Sequence, residues 1–272
     1  MHPFELLEPR SLDEALTLLA ADPDARPLAG GTAMVVMLKQ GLIRPERLIN
    51  LKKIPGLAGV RPEPEGGVRI GALTSIREVG QDATVRASYP ALADACHVVA
   101  NIRIQTLATL GGNLAHADYQ SDPPAMLTAL GARVRIRSSG GDREESLGSF
   151  LVSGYQTTLE PHELVTEIVI PSLGREYRTR YLKFTTRSAV DRPCAGIALA
   201  LALDRGRCTD LRLVVGAVSP APIQVTAAER LVVGETVTTA LAEQVGAIAA
   251  AAVDPIGDVR GSAEYKRHVV GV

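Results

Sequence analysis

TLGGNLAHADYQSDPP, residues Thr109 to Pro124, is the stretch on which the fold turns. Gly111 and Gly112 lack a Cβ, so the main chain there can take positive φ and come close to a ligand, and a phosphate could rest on the amides. Asn113 adds a side-chain amide. Asp122 before Pro123 and Pro124 has the form of a helix start, with the carboxylate at the N-cap and proline at the first helical position. A Gly-Gly pair alone is also an ordinary turn before a capped helix. A second pair upstream favours a ligand.

That second pair lies in LAGGTA, Leu28 to Ala33, where a short apolar run ends at Gly30-Gly31 and a helical stretch, TAMVVMLKQG, begins at Thr32. Two glycine turns, each followed by a hydroxyl or amide side chain, could grip one diphosphate from two sides. Neither turn has the G-x-G-x-x-G form of a Rossmann unit or the GxxxxGK[ST] form of a P-loop, which removes the sequence support for nucleotide hydrolysis.

With PLAGGT, TLGGNLAHAD, SDPPAML, ELVTEIVIP and YLKFTTRSAVD all present, the chain resembles the FAD-binding medium subunit of the molybdenum hydroxylases, the group of CO dehydrogenase and xanthine dehydrogenase. The resemblance spans nearly the whole length. It implies an α+β chain with a two-part FAD-binding domain of the vanillyl-alcohol-oxidase (PCMH) type. A C-terminal antiparallel sheet with helices, of the CO dehydrogenase flavoprotein C-terminal type, follows. The expected domains are 1–172, with subdomains of about 1–56 and 57–172, and 177–272.

The resemblance further implies one noncovalent FAD between the two glycine loops. Its diphosphate contacts fall on Ala29, Gly30, Gly31, Thr32 and Ala33, and on Thr109, Gly111, Gly112 and Asn113. Ser121 and Asp122 match the family's serine-aspartate pair, the carboxylate placed for ribose or ribityl hydroxyls; a plain N-cap is the other role open to Asp122, and the two can coexist. Lys183 matches a lysine near the flavin, where a cation would stabilise an anionic reduced ring, and Leu164 an apolar position beside it. Taken alone, Lys183 would be a solvated strand residue and Leu164 a core residue. No catalytic acid or base is assigned, because a flavin performs the redox chemistry itself and the protein binds, orients and tunes it. His116 receives no role. Arg192 stands where the family often has an aromatic or apolar residue close to the ring. It could reach the flavin and raise its potential, or point to solvent, or pair with Asp191.

The implied activity is that of an oxidoreductase subunit, taking electrons from iron-sulfur clusters of a partner and passing them to an external acceptor. A small [2Fe-2S] subunit and a large molybdopterin subunit are the implied partners, in a dimer of heterotrimers. A flavin-less assembly subunit and a self-contained flavin oxidase are the competing readings. Composition agrees with a globular chain: 272 residues, 46% hydrophobic, supply a sizeable core. A net charge of −1 lacks the basic footprint of a nucleic-acid binder. No apolar run approaches the ~20 residues of a membrane helix, and Met1 to Arg10 lacks the pattern of a secretory signal, so a cytoplasmic location is expected. Cys96, Cys194 and Cys208 are dispersed and read as buried small side chains; the histidines have no metal-site spacing.

Local patterns place the elements. Ser11 with Glu14 is a capping box opening a first helix. Arg26 to Ala29 and Arg47 to Leu51 read as strands, and IPGLAGVRPEPEGG as a bent connection. Val68 to Ala72 is a strand, Thr74 caps a short helix, Pro90 starts another, and ARVRIRS with EESL makes a hairpin. Phe150 to Thr158 is left as helix or loop, and ELVTEIVIP alternates up to its proline. TRYLKFTT, GIALALALD and LRLVVGAV form a sheet, with helices over Thr238–Ala252 and in SAEYKRHVV.

Overall fold

The computed structural model describes residues 2–64 and 66–272. Its N-terminal lobe is a three-stranded parallel sheet, β1 (Glu5–Leu7), β2 (Arg26–Leu28) and β3 (Arg47–Asn50), in the order β1-β3-β2. Parallel neighbours require crossovers, and helices α1 (Leu12–Ala21) and α2 (Met34–Gln40) lie within them. Ser11 caps α1 by accepting from Glu14 N at 3.1 Å, but the Glu14 carboxylate reaches back to Arg10 N rather than Ser11 N. Ala15, Leu16 and Leu19 of α1 pack with Ile49, Leu51 and Ile54. Gly41 ends α2 in the left-handed region at φ 70°, its N–H bonding to Leu38 O.

The central lobe contains β4 (Val60–Pro62), β5 (Gly67–Gly71) and six helices: α3 (Ile76–Gln81), α4 (Ala83–Ser88), α5 (Pro90–His97), α6 (Ile102–Leu107), α7 (Leu110–His116) and α8 (Pro123–Ala129). The hairpin β6 (Arg133–Ser138) and β7 (Gly141–Ser146) follows, then α9 (Leu147–Phe150), the small hairpin β8 (Leu151–Ser153) and β9 (Gln156–Thr157), and β10 (Leu164–Pro171). The main sheet is antiparallel in the order β4-β5-β10-β6-β7. Strand β10 is central and buried on both faces, which is why ELVTEIVIP carries so few polar residues, and Pro171 stands at its very end. Part of the expected connection, Val60–Pro62, is instead an edge strand paired to β5. Ser75, not Thr74, caps α3 in a full capping box with Glu78. The Thr74 hydroxyl is unavailable because it donates to Gly71 O at 2.6 Å and accepts from Gly59 N at 2.9 Å. Phe150 closes α9 and the following residues form the β8–β9 hairpin.

The C-terminal domain is an antiparallel meander, β11 (Tyr177–Phe184), β12 (Ala195–Asp204), β13 (Arg207–Gly216) and β14 (Ile223–Gln224). Helices α10 (Thr226–Val232), α11 (Thr239–Ala252) and α12 (Ala263–Gly271) cover one face. Arg205 and Gly206, at φ 48° and 84°, make the two-residue turn between β12 and β13. The other face receives α8: Ala198 and Val214 join the core of the central lobe, and a Cβ on Gly216 would lie 2.8 Å from Ala125 Cβ. The three cysteines are buried and free.

Candidate functional site

Two chain segments meet beneath a cleft of about 270 Å³. One is the loop between β2 and α2. The other is the first turn of α7. At Gly30 the loop lies backbone to backbone on the chain just ahead of that turn, where a Cβ would overlap Leu107 O at the end of α6 and lie 2.9 Å from Ala108 Cα. Gly31 turns the loop at φ +76°.

The second glycine pair is not a turn. Gly111 and Gly112 lie in the first turn of α7, with Thr109 as N-cap. Gly111 is small because a Cβ would come within 2.8 Å of Ala72 Cα and O, so the glycine lets the helix lie directly on the end of β5. Its donors are committed to the protein: Leu110 N to Thr74 O at 2.9 Å, Gly111 N to Ala72 O at 2.9 Å and Gly112 N to Thr109 Oγ1 at 3.1 Å. The upstream loop is the opposite case. Among the described residues, the amides of Gly30, Gly31, Thr32, Ala33 and Met34 have no acceptor in the protein, and α2 has no side-chain cap. A bound anion would complete a helix start that the chain leaves open.

Ala29, Gly30, Gly31, Thr32, Ala33, Thr109, Gly111, Gly112, Asn113 and Leu164 all line this cleft. Leu164 is also core, joining the N-terminal cluster and so tying β10 to that lobe. Ser121, Asp122 and Lys183 do not line it. Ser121 connects indirectly, its Oγ lying 2.7 and 2.9 Å from the Asn113 amide group. Asp122 precedes α8 but does not cap it; it has helical φ and ψ and no capping bond. Its oxygens are taken by Tyr181 Oη at 2.9 Å and Lys183 Nζ at 3.2 Å, both from the C-terminal domain. Lys183 also donates to Val98 O at 2.7 Å and is buried, not a solvated strand residue. Burial pushes the Asp122 carboxyl up to about 6, with Lys183 and Tyr181 opposing that rise, and burial beside Asp122 holds the Tyr181 hydroxyl well above its ordinary value.

Arg192 neither points free into solvent nor pairs through its side chain with Asp191. Its guanidinium binds Asp118 Oδ2 at 2.9 and 2.8 Å, whereas Asp191 pairs with Arg260. The Asp118–Arg192 pair spans 74 residues of sequence, so no local pattern could have revealed it. Tyr181 was discoverable: it sits two residues before Lys183 on β11, hence on the same face. His116 and Glu163 also line the cleft.

Comparison with known proteins agrees with this architecture. Residues 2–173 match the FAD binding domain in molybdopterin dehydrogenase, and residues 180–272 the CO dehydrogenase flavoprotein C-terminal domain. The glyceraldehyde dehydrogenase medium chain of Sulfolobus acidocaldarius is 32% identical over 99% of this chain and 95% of its own length. The 6-hydroxypseudooxynicotine dehydrogenase complex subunit alpha of Paenarthrobacter nicotinovorans is 32% identical over 98% of this chain and 90% of its own. Among solved structures, a carbon monoxide dehydrogenase from Hydrogenophaga pseudoflava, lacking the Mo-pyranopterin moiety of its molybdenum cofactor, superposes with a TM-score of 0.95 at 32% identity, covering 99% of this chain and 93% of that one. The chain belongs to the FAD-binding medium subunits of the molybdenum hydroxylase family, the CO dehydrogenase and xanthine dehydrogenase group.

Proposed function

We propose that the chain holds one FAD noncovalently in the cleft between Gly30 and Asn113, and that it serves as the electron-output subunit of its complex. The five unpaired amides from Gly30 to Met34 carry this reading, since their cost in a folded chain is removed by a diphosphate. Ala29 and Ala33 keep the approach open, and Thr32 offers a hydroxyl. Thr109, Gly111 and Gly112 would act as a close-fitting wall, because their helix donors are already used. Asn113, held against Ser121, would present its amide to the cofactor. Leu164 supplies apolar surface, and the buried Asp122–Lys183 pair holds the C-terminal domain in place behind the site. FAD, when bound, supplies the electron-accepting isoalloxazine ring.

The electrons would come from a small [2Fe-2S] subunit, with a large molybdopterin subunit carrying the hydroxylation chemistry and a dimer of heterotrimers as the assembly. The printed descriptions of the relatives as a medium chain and a complex subunit support partners of this kind. The buried positions of Cys96, Cys194 and Cys208 support placing the clusters outside this chain. A cytoplasmic location belongs to the same reading; no helix among the described residues is long and apolar enough to cross a membrane.

The test is an absorption spectrum of the purified chain, followed by release and quantification of its nucleotide. One FAD per chain is expected, with no labile sulfide. A chain that neither copurifies with flavin nor takes up added FAD would be a scaffold subunit, and the proposal would fail.

A further inference from the structure

The cleft contains an imidazole that no structural role accounts for. His116 is four residues beyond Gly112 on α7, one helical turn further along the same face. It lines the cleft half-buried, and among the described residues neither ring nitrogen has a hydrogen-bond partner in the protein. Burial lowers its proton affinity, opposed by Asp118 and assisted by Arg192, which favours the neutral ring with its one donor and one acceptor.

The surroundings fix this ring in place. Tyr155 packs against it at 5.2 Å between centroids, tilted by 57°. The Tyr155 hydroxyl reaches Asp118 Oδ1 at 3.4 Å, and Asp118 is held by Arg192 from the C-terminal domain. Ala117 and Tyr155 both take positive φ, 48° and 62°, and are joined by a bond from Tyr155 N to Ala117 O at 2.7 Å. The two conformations belong to the ends of elements, Ala117 being the left-handed C-cap of α7 and Tyr155 lying in the turn of the β8–β9 hairpin, and their bond fixes that hairpin tip beside the cleft-facing ring.

We propose that His116 is a flavin ligand, hydrogen-bonding the ribityl–isoalloxazine half of the cofactor, with Tyr155, Asp118 and Arg192 as the residues that position it. Helix α7 leads from Gly112 toward Asp118 and Asp122, the segment clamped to the C-terminal domain. His116 therefore stands on the domain-junction side of the diphosphate site, and the assignment rests on FAD occupying that cleft.

The experiment titrates the full chain, freed of flavin, with FAD and separately with ADP, which carries the adenosine and diphosphate but no flavin. His116→Phe keeps a ring against Tyr155 and removes both nitrogens; His116→Gln restores a donor and an acceptor. His116→Phe is expected to weaken FAD binding about tenfold, the worth of one buried hydrogen bond, with ADP affinity unchanged. His116→Gln should recover most of the loss, and the visible band of bound flavin should shift in the Phe variant. Unchanged FAD affinity in His116→Phe would overturn the assignment while leaving the cleft as the flavin site. Equal weakening of ADP would also overturn it, because His116 would then serve the diphosphate half or the fold. An unmodified chain that binds no FAD would instead refute the cleft reading itself.

Discussion

Replacing Gly30 by alanine adds a single methyl group at the point where the first loop lies on the chain just ahead of α7. That methyl would overlap Leu107 O and stand 2.9 Å from Ala108 Cα and Leu107 C, all backbone atoms that cannot rotate aside. Ordinary carbon contacts run about 3.5–4.0 Å, so the segments must separate by roughly 1 Å. Overpacking of this kind costs about 1–3 kcal/mol. For a chain of this size, 2 kcal/mol lowers Tm by about 4–8 °C. The same displacement moves the amides of Gly30 and Gly31 relative to the opposite wall. Hydrogen bonds to a charged group contribute about 1.5–3 kcal/mol each, so misplacing even one weakens FAD binding by about ten- to a hundredfold. Calorimetric unfolding of the flavin-free protein reads the first effect and flavin fluorescence titration the second. If Gly30→Ala melts with the unmodified chain and binds FAD with unchanged affinity, the close approach of the two segments is not what demands glycine, and the argument for the site is wrong.

Thr109→Ala removes the hydroxyl that accepts from Gly112 N. A loss of about 1 kcal/mol is expected in denaturant titration, and an unchanged midpoint would show that α7 starts without its cap. Asp122→Asn strands the Lys183 ammonium in a buried site and should cost about 3–5 kcal/mol, whereas Asp122→Asn with Lys183→Met should recover part of it; additive losses in the double-mutant cycle would show that the two groups are not coupled. The raised pKa of Asp122 has a signature of its own. Because the folded state binds this proton more tightly than the unfolded one, the contribution of Asp122 to stability falls as pH rises from about 4 through about 6. Tm measured across that window, relative to Asp122→Asn, should decline with rising pH, and a rise would contradict the assignment. With its guanidinium engaged by Asp118 outside the cleft lining, Arg192→Ala should weaken FAD binding only by loosening His116, adding nothing to His116→Phe in a double-mutant cycle, and additive losses would place the guanidinium at the ring itself.

Much of the fold could be read in the sequence because it is written in local periods. GIALALALD alternates small and large side chains and becomes β12, ELVTEIVIP is legible as a strand ending at its proline, although its alternation did not show that both faces of β10 are buried, and Thr238 and Ser262 begin their helices as hydroxyl caps should. Strands β1 and β4 escaped because three residues contain no measurable period; only their neighbours make them strands. The cap of α3, read as Thr74, was within reach of local rules: Ser75 with Glu78 three residues on has the capping-box spacing, and the Thr74 hydroxyl is drawn off by Gly71 and Gly59.

The site divides in the same way. Sequence motifs brought Ala29 to Ala33 and Thr109 to Asn113 to attention, but they could not say why glycine was needed at each place. Gly31 serves a left-handed turn, Gly30 a backbone contact with Leu107, and Gly111 the seating of a helix on Ala72. Whether an amide is open to a ligand depends on what else reaches it, and that accounting exists only in three dimensions. It leaves the first loop open and the second closed. The two roles considered for Asp122 were equally consistent with its neighbours in sequence. Tyr181 and Lys183, 59 and 61 residues downstream, took its oxygens. A short-range pattern specifies an element because its hydrogen bonds close within a few residues, whereas the partners of a buried charge or an unpaired amide are fixed by the packing of segments that the sequence keeps far apart.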